Sequence, residues 1–322
     1  MKQVKVGIVG TGNMGKNHAR VASDKSKIDF VGVYDVDEAR AKDIASMYDT
    51  QAYVDLDEMI EKVDALIIAT PTLTHYKIAK KAITAQKHCL IEKPITATVD
   101  EAKDLIALAK KMGVVLQVGH IERYNPVFKE LNKILENDEI LAIDSARLSY
   151  NTNRANDVDV VLDLMIHDID AINKIVKHDI VDIKAVGHNY YTTNNDFVTA
   201  VLKSKNGVAI NITASKISQT KERKLNISCR DSYVEVDYLR KEIDITRHTV
   251  SKAIEHNMKV QYKQESLVEK VFVPFVEPLA EEQKDFVESI LENKTPQTTG
   301  EDGLEALQIA LKIQKSCATT SL

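Results

Sequence analysis

A chain of 322 residues can hold two domains, each with a core of its own. Apolar residues make up 44% and charged ones 28%, and a net charge of −5 comes with no long basic run, so neither nucleic acid nor an anionic membrane is the expected partner. No apolar stretch nears the roughly 20 residues that span a bilayer, and no signal peptide is expected, so the chain reads as cytoplasmic.

Val4, Val6, Ile8 and Val9 read as a buried strand, and Asn13 to Ser23 as a helix. Between them runs Gly10-Thr11-Gly12-Asn13-Met14-Gly15, a G-x-G-x-x-G turn whose glycines let backbone approach a pyrophosphate. A second apolar run, Ile28 to Tyr34, ends in Asp35, twenty residues after Gly15. A carboxylate at that distance can bind the adenosine ribose 2′-hydroxyl, so the three parts together predict a dinucleotide site. Asp35 repels a 2′-phosphate and Val36 brings no cation, which favours NAD; Arg40, a helical turn further, pulls the other way.

Further strands are expected at Ala65–Ala69, Cys89–Ile91 and Val114–Val118, with helices starting near Asp37, Asp57, Leu73 and Thr98. Such alternation predicts an α/β domain, a doubly wound parallel sheet with helices on both faces. Thr98 to Glu101 form a capping box, and Gly113 stops that helix. Ligands bind beyond the carboxyl ends of such strands. Thr70, Pro71, Thr72 and His75 follow the third strand, and Glu92, Lys93 and Pro94 the fourth, so they are expected on the nicotinamide side. The pattern changes near residue 121, dividing the chain into a dinucleotide domain, 1–121, and a second domain, 122–322.

In the second part, Asn125 caps an expected helix that runs to Asn137, with Pro126 in its first turn. A strand, Ile140–Tyr150, a polar loop, Asn151–Asp159, and a helix from Val161 to Val176 come next. Alternating runs then predict a mostly antiparallel sheet with one face available to pack on a partner: Phe197–Lys203, Val208–Ile217, Lys224–Cys229, Tyr233–Tyr238 and Ile243–Thr249. Two helices, Leu279–Glu292 and Gly303–Ser316, end the chain. Cys89, Cys229 and Cys317 are odd in number and outside metal-ligand spacing, so they read as ordinary thiols and no metal is expected.

Asp163 and His167 are four residues apart on the helix from Val161, one turn from each other, with Asp170 and Lys174 along the same stripe. Leu162, Met165, Ile166, Ile169, Ile172 and Val176 fill the other side. Oxidising an alcohol with a nicotinamide requires a group to take the hydroxyl proton. Histidine has a suitable pKa, and a lysine reaches one beside a positive charge. Lys93 and His167 are both candidates for the base, with Asp163 orienting His167 or holding a substrate hydroxyl.

The glycine turn, Glu92-Lys93-Pro94 and Asp163-x-x-x-His167, in this order, resemble the Gfo/Idh/MocA oxidoreductase family over nearly the whole chain. The resemblance implies a Rossmann domain followed by an α/β domain with an open antiparallel sheet, through which subunits associate as homodimers or homotetramers. It also implies a cis Lys93–Pro94 bond and catalysis by Lys93 with His167 and Asp163. Within the family, Val118–Pro126, Val161–Asp170, Val273–Leu279 and Gly300–Gly303 resemble the UDP-sugar 3-dehydrogenase subgroup, which oxidises the sugar 3-hydroxyl to a ketone. That implies a UDP-N-acetylhexosamine substrate. A diphosphate needs cations and a stacking surface. Arg123, Arg147 and Arg154, with Tyr124 and Tyr150 nearby, are the candidates for that role, and His120 and Asn125 are further candidates to contact the substrate. Alternatives are an inositol or free-sugar dehydrogenase, or a non-catalytic regulator that senses dinucleotide or sugar.

Overall fold

Apolar runs alternate with helices from Val4 to Gly119, and each of those runs becomes a strand of one sheet. The order is β1 (Val4–Val9), α1 (Asn13–Ala22), β2 (Ile28–Tyr34), α2 (Glu38–Met47), β3 (Gln51–Tyr53), α3 (Leu56–Lys62), β4 (Ala65–Ile68), α4 (Thr72–Thr84), β5 (His88–Glu92), α5 (Val99–Met112) and β6 (Leu116–Gly119). In the computed structural model, which describes residues 2–24, 26–150, 158–191, 193–248, 252–256, 259–263 and 266–318, all six strands are parallel. They lie in the order β3-β2-β1-β4-β5-β6, a doubly wound sheet whose direction of winding reverses between β1 and β4. β3 was not among the expected strands, because three residues with only Tyr53 buried leave no alternation to read.

The second part contains α6 (Pro126–Ile134), β7 (Ile140–Leu148), α7 (Ile166–Val176), β8 (Ile180–His188), β9 (Phe197–Ser204), β10 (Ala209–Ser215), β11 (Glu222–Cys229), β12 (Ser232–Asp237) and β13 (Glu242–His248). β14 (Lys252–His256), β15 (Lys259–Lys263) and β16 (Ser266–Lys270) follow. Eight of these strands form one sheet, β16-β13-β12-β11-β7-β10-β9-β8, in which only β7 and β10 pair in parallel. Strict alternation sets its faces: Val198, Ala200 and Leu202 of β9 are buried, whereas Val201 is 56% exposed. Helices α6 and α7 pack on the buried face, and the other face is open. Most of the expected polar loop, 151–157, and Thr249 lie outside the described residues.

Helices α8 (Pro278–Glu292) and α9 (Gly300–Ala318) close the chain. The molecule divides into two compact units, Met1–Tyr124 with Glu277–Gln308, and Asn125–Val276 with Ile309–Leu322. This differs from the division expected at residues 121 and 122, because 277–308 returns to the first unit. Phe286 and Val287 of α8 complete the core formed by Val6, Ile8, Ile28, Ile67 and Leu90. Among the described residues no helix is long and apolar enough to cross a membrane.

Candidate active site

The turn after β1 is shaped by its glycines. Gly10 has φ +92°, and a Cβ there would lie 2.6 Å from the Ala69 carbonyl oxygen. A Cβ at Gly15 would lie 1.8 Å from the Gly10 carbonyl oxygen, so neither position accepts another residue without moving backbone. Gly12 differs: a Cβ there meets nothing within 4 Å, and α1 begins without a side-chain cap. The first N–H groups of α1 are therefore available to an anion. Thr11 is buried, while Asn13 is exposed and Met14 half-buried on that first turn.

Asp35 stands at the end of β2. Its Oδ2 accepts from the Thr11 N–H at 2.7 Å and the Thr11 hydroxyl at 2.8 Å, and its Oδ1 from the Asp37 N–H at 2.9 Å. Burial favours the neutral acid, but the Asp37 and Thr11 donors, with Arg40 nearby, outweigh it and hold the carboxyl below its usual range. Asp35 is thus an anion that retains lone pairs for a ribose hydroxyl. Arg40 is tied to Asp37 at 3.1 Å, and Val36 is 90% exposed, an arrangement suited to NAD rather than its 2′-phosphorylated form. An uncapped helix start, open space before Gly12 and a held carboxylate fit a dinucleotide.

Beyond β4, Thr70 and Thr72 are half-buried and Pro71 is exposed. His75 is only 1% exposed, its ring nitrogens 2.9 Å from the Pro94 carbonyl oxygen and 2.8 Å from that of Thr70. It braces these two loops against each other. Burial lowers its pKa, against the opposing pull of the two carbonyls and Glu92. Lys93 is half-buried, and its bond to Pro94 is cis. Glu92 was expected to contact the cofactor but is 7% exposed. Its Oε1 accepts from His18 Nε2 at 2.9 Å and its Oε2 from the Lys93 N–H at 3.3 Å. Gly119, opposite on β6, makes room: a Cβ there would sit 3.0 Å from Glu92 Oε2.

In the second unit Asp163 lies in a π-helical turn, Val161–Met165, that leads into α7, where His167 occupies the first turn. Both are half-buried. The expected helix was a regular α-helix; a π turn shifts the angle between them, and such turns recur at functional sites. Asp163 Oδ2 pairs with Lys216 Nζ at 3.0 Å, and the same ammonium donates to the Val158 carbonyl at 2.8 Å. Lys216 is 8% exposed. Its signal in the sequence was a lysine inside the apolar run Val208–Ile217. Asp168 and Asp170, 4% and 1% exposed, show that α7 is enclosed on more than its apolar stripe.

Among the residues named for the substrate, Arg123, Tyr124, Asn125 and Arg147 each hold a partner within the protein. Arg123, 1% exposed, pairs with Asp302 at 3.1 Å. The Tyr124 hydroxyl donates to Asp285 at 2.8 Å and accepts from Gln117 at 3.1 Å, and its ring is buried, with no open face to stack on. Asn125 caps α6 through the Val127 N–H at 3.1 Å. Arg147 forms a two-pronged pair with Asp168, and His120 is 1% exposed. Arg154 lies outside the described residues. His18 and Glu282, both fully buried, were missed. Glu282 could have been noticed, since Leu279, Glu282, Gln283 and Phe286 keep the spacing of one helix face.

The sheet order, the glycine turn and the carboxylate after β2 define the first unit as that of a dinucleotide-dependent oxidoreductase. Residues 4–120 match the oxidoreductase family with an NAD-binding Rossmann fold, and residues 130–235 match the C-terminal domain of the same family. The chain belongs to the Gfo/Idh/MocA family and is an NAD-dependent enzyme. It is 34% identical to UDP-N-acetylglucosamine 3-dehydrogenase of Acidithiobacillus ferrooxidans over 245 residues, covering 76% of this chain and 77% of that one. A solved structure of that enzyme superposes with a TM-score of 0.91 at 30% identity, covering 99% of each chain. The scyllo-inositol dehydrogenase of Lactobacillus casei, solved with NAD(H) and scyllo-inositol, shares the fold, with a TM-score of 0.82 at 20% identity over 99% of this chain and 98% of that one.

Proposed function

We propose that this chain oxidises the 3-hydroxyl of a UDP-linked N-acetylhexosamine to a 3-keto sugar. The observation that carries this reading is the 34% identity to a UDP-N-acetylglucosamine 3-dehydrogenase across three quarters of both chains. Gly10 to Gly15 and Asp35 hold the dinucleotide, with Thr70, Pro71 and Thr72 beside it. NAD⁺, when bound, accepts the hydride from the sugar carbon. Lys93 and His167 share the proton work, one taking the hydroxyl proton, and Asp163 orients the exchange from a carboxylate fixed by Lys216. The cation that meets the diphosphate is a residue other than Arg123 or Arg147, since both are committed to carboxylates. Copies of the chain associate through the open face of the eight-stranded sheet.

The rival is a polyol substrate, because an inositol dehydrogenase shares the fold. Purified protein is assayed for NADH formation with UDP-N-acetylglucosamine, myo-inositol and scyllo-inositol, beside Lys93→Ala as control. Turnover of the UDP-sugar that Lys93→Ala abolishes is expected. Turnover of an inositol, with none of any UDP-sugar, replaces this reading with its rival.

A further inference from the structure

Glu282 occupies a position where α8 would ordinarily bury an apolar side chain, and it is 0% exposed. Neither of its carboxyl oxygens meets a hydrogen-bond partner among the described residues. Glu92 of β5 and His18 of α1 face it: one polar atom from each of the three side chains lies within 4.8 Å of the other two. Asp285, on the next turn of α8, and the Tyr124 hydroxyl that donates to it complete the titratable surroundings, with Lys93 next to Glu92 in sequence. His18 Nε2 serves Glu92, and its Nδ1 accepts from the Gln283 amide at 3.0 Å, so both ring nitrogens are taken.

Two ionised carboxylates this close and out of water do not persist together. Glu92 has donors for its charge, the His18 ring and the Lys93 N–H. Glu282 has none among the described residues. We propose that Glu282 is a neutral acid that keeps its own proton beside an ionised Glu92, and that this pair positions the Glu92-Lys93 peptide at the end of β5. Burial first, then the charges of Glu92 and Asp285, push the Glu282 carboxyl well above the usual range. Burial acts the same way on Glu92, but His18 and Lys93 outweigh it and hold that carboxyl low. Glu282 is a positioning residue, reaching Lys93 only through Glu92. That role rests on the assignment of Lys93 to the proton transfer; the protonation does not.

A carboxyl protonated in the folded chain and ionised in the unfolded one contributes stability below its unfolded pKa and loses it as pH rises through its folded value. The wild type therefore loses Tm across that window more steeply than Glu282→Gln, whose amide does not titrate. Infrared spectra of the full chain at about pH 8, where exposed carboxyls are ionised, test the proton directly. A protonated-carboxyl C=O band is expected in the wild type and in Asp285→Asn, and missing from Glu282→Gln. No such band in the wild type, or its survival in Glu282→Gln, overturns the proposal. So does a stoichiometric divalent metal in the purified wild type that Glu282→Gln loses. For the positioning role, Glu282→Ala is expected to lower kcat with UDP-N-acetylglucosamine about tenfold at unchanged NAD affinity, and Glu282→Gln to restore it. Equal kcat in all three proteins overturns that role. The spectra and melting curves need no substrate, so they decide the protonation even where the substrate reading fails.

Discussion

An arginine in a sequence is equally suited to a diphosphate and to a carboxylate, and only its neighbour decides. Arg147 donates through Nε and Nη2 to the two oxygens of Asp168 at 2.8 and 2.9 Å, and neither side chain is more than 5% exposed. Twenty-one residues separate them, on a strand and a helix, and no local period in the sequence links such a pair. Gly10, Gly15 and Asp35 were legible for the opposite reason: motif spacing reports directly on one turn of backbone. The pair's chemistry gives a sharp expectation. Removing one partner leaves a buried charge, which costs about 3–5 kcal/mol. Arg147→Met is therefore expected to lower unfolding free energy in urea by about that amount. A diphosphate ligand would behave otherwise, raising KM for the nucleotide sugar while leaving the urea midpoint where it was.

Elements were easier to read than the contacts between them. The capping box at Thr98 is present as expected, the Glu101 N–H donating to Thr98 Oγ1 at 3.3 Å and the Thr98 N–H to Glu101 Oε2 at 3.0 Å. The helix from Val161 to Val176 was placed correctly, but its opening π turn was not, because one additional residue in a turn barely disturbs a short apolar period. That turn sets the carboxylate of Asp163 against Lys216, whose ammonium is fixed between Asp163 and the Val158 carbonyl. Lys216 thus aims a proposed catalytic carboxylate, and small misplacements of such groups are costly. Lys216→Met is expected to reduce kcat about tenfold to a hundredfold while NAD affinity measured by calorimetry stays constant. An unchanged kcat would show that Asp163 needs no brace; a loss of NAD affinity would point to wider damage.

At the scale of the molecule, the chain order conceals the architecture. The periodicity that identified the Rossmann strands ends at Gly119, and nothing local announces that 277–308 returns to them. Yet α8 fills real space in that unit. Phe286 and Val287 pack on the β1 and β2 core, and Leu279 and Ala280 pack with Val21, Met14 and Ile121. Polar contacts add to this: Tyr124 with Asp285, Gln117 with the Glu282 carbonyl, and Gln283 with His18. Burying Leu279, Phe286 and Val287 is worth about 1.5–3 kcal/mol each, so about 5–9 kcal/mol together. Net stability of a domain is only about 5–15 kcal/mol, so losing α8 removes a large share of it. Residues 1–124 alone are thus expected to show no cooperative melting and no NAD binding. The same residues joined to 277–308 by a flexible linker of about a dozen residues are expected to melt cooperatively and bind NAD. Circular dichroism melting and calorimetry on the two proteins make the comparison. If 1–124 melts cooperatively at the temperature of the linked protein, α8 is a passenger and the first unit ends where the glycine-led strand pattern does.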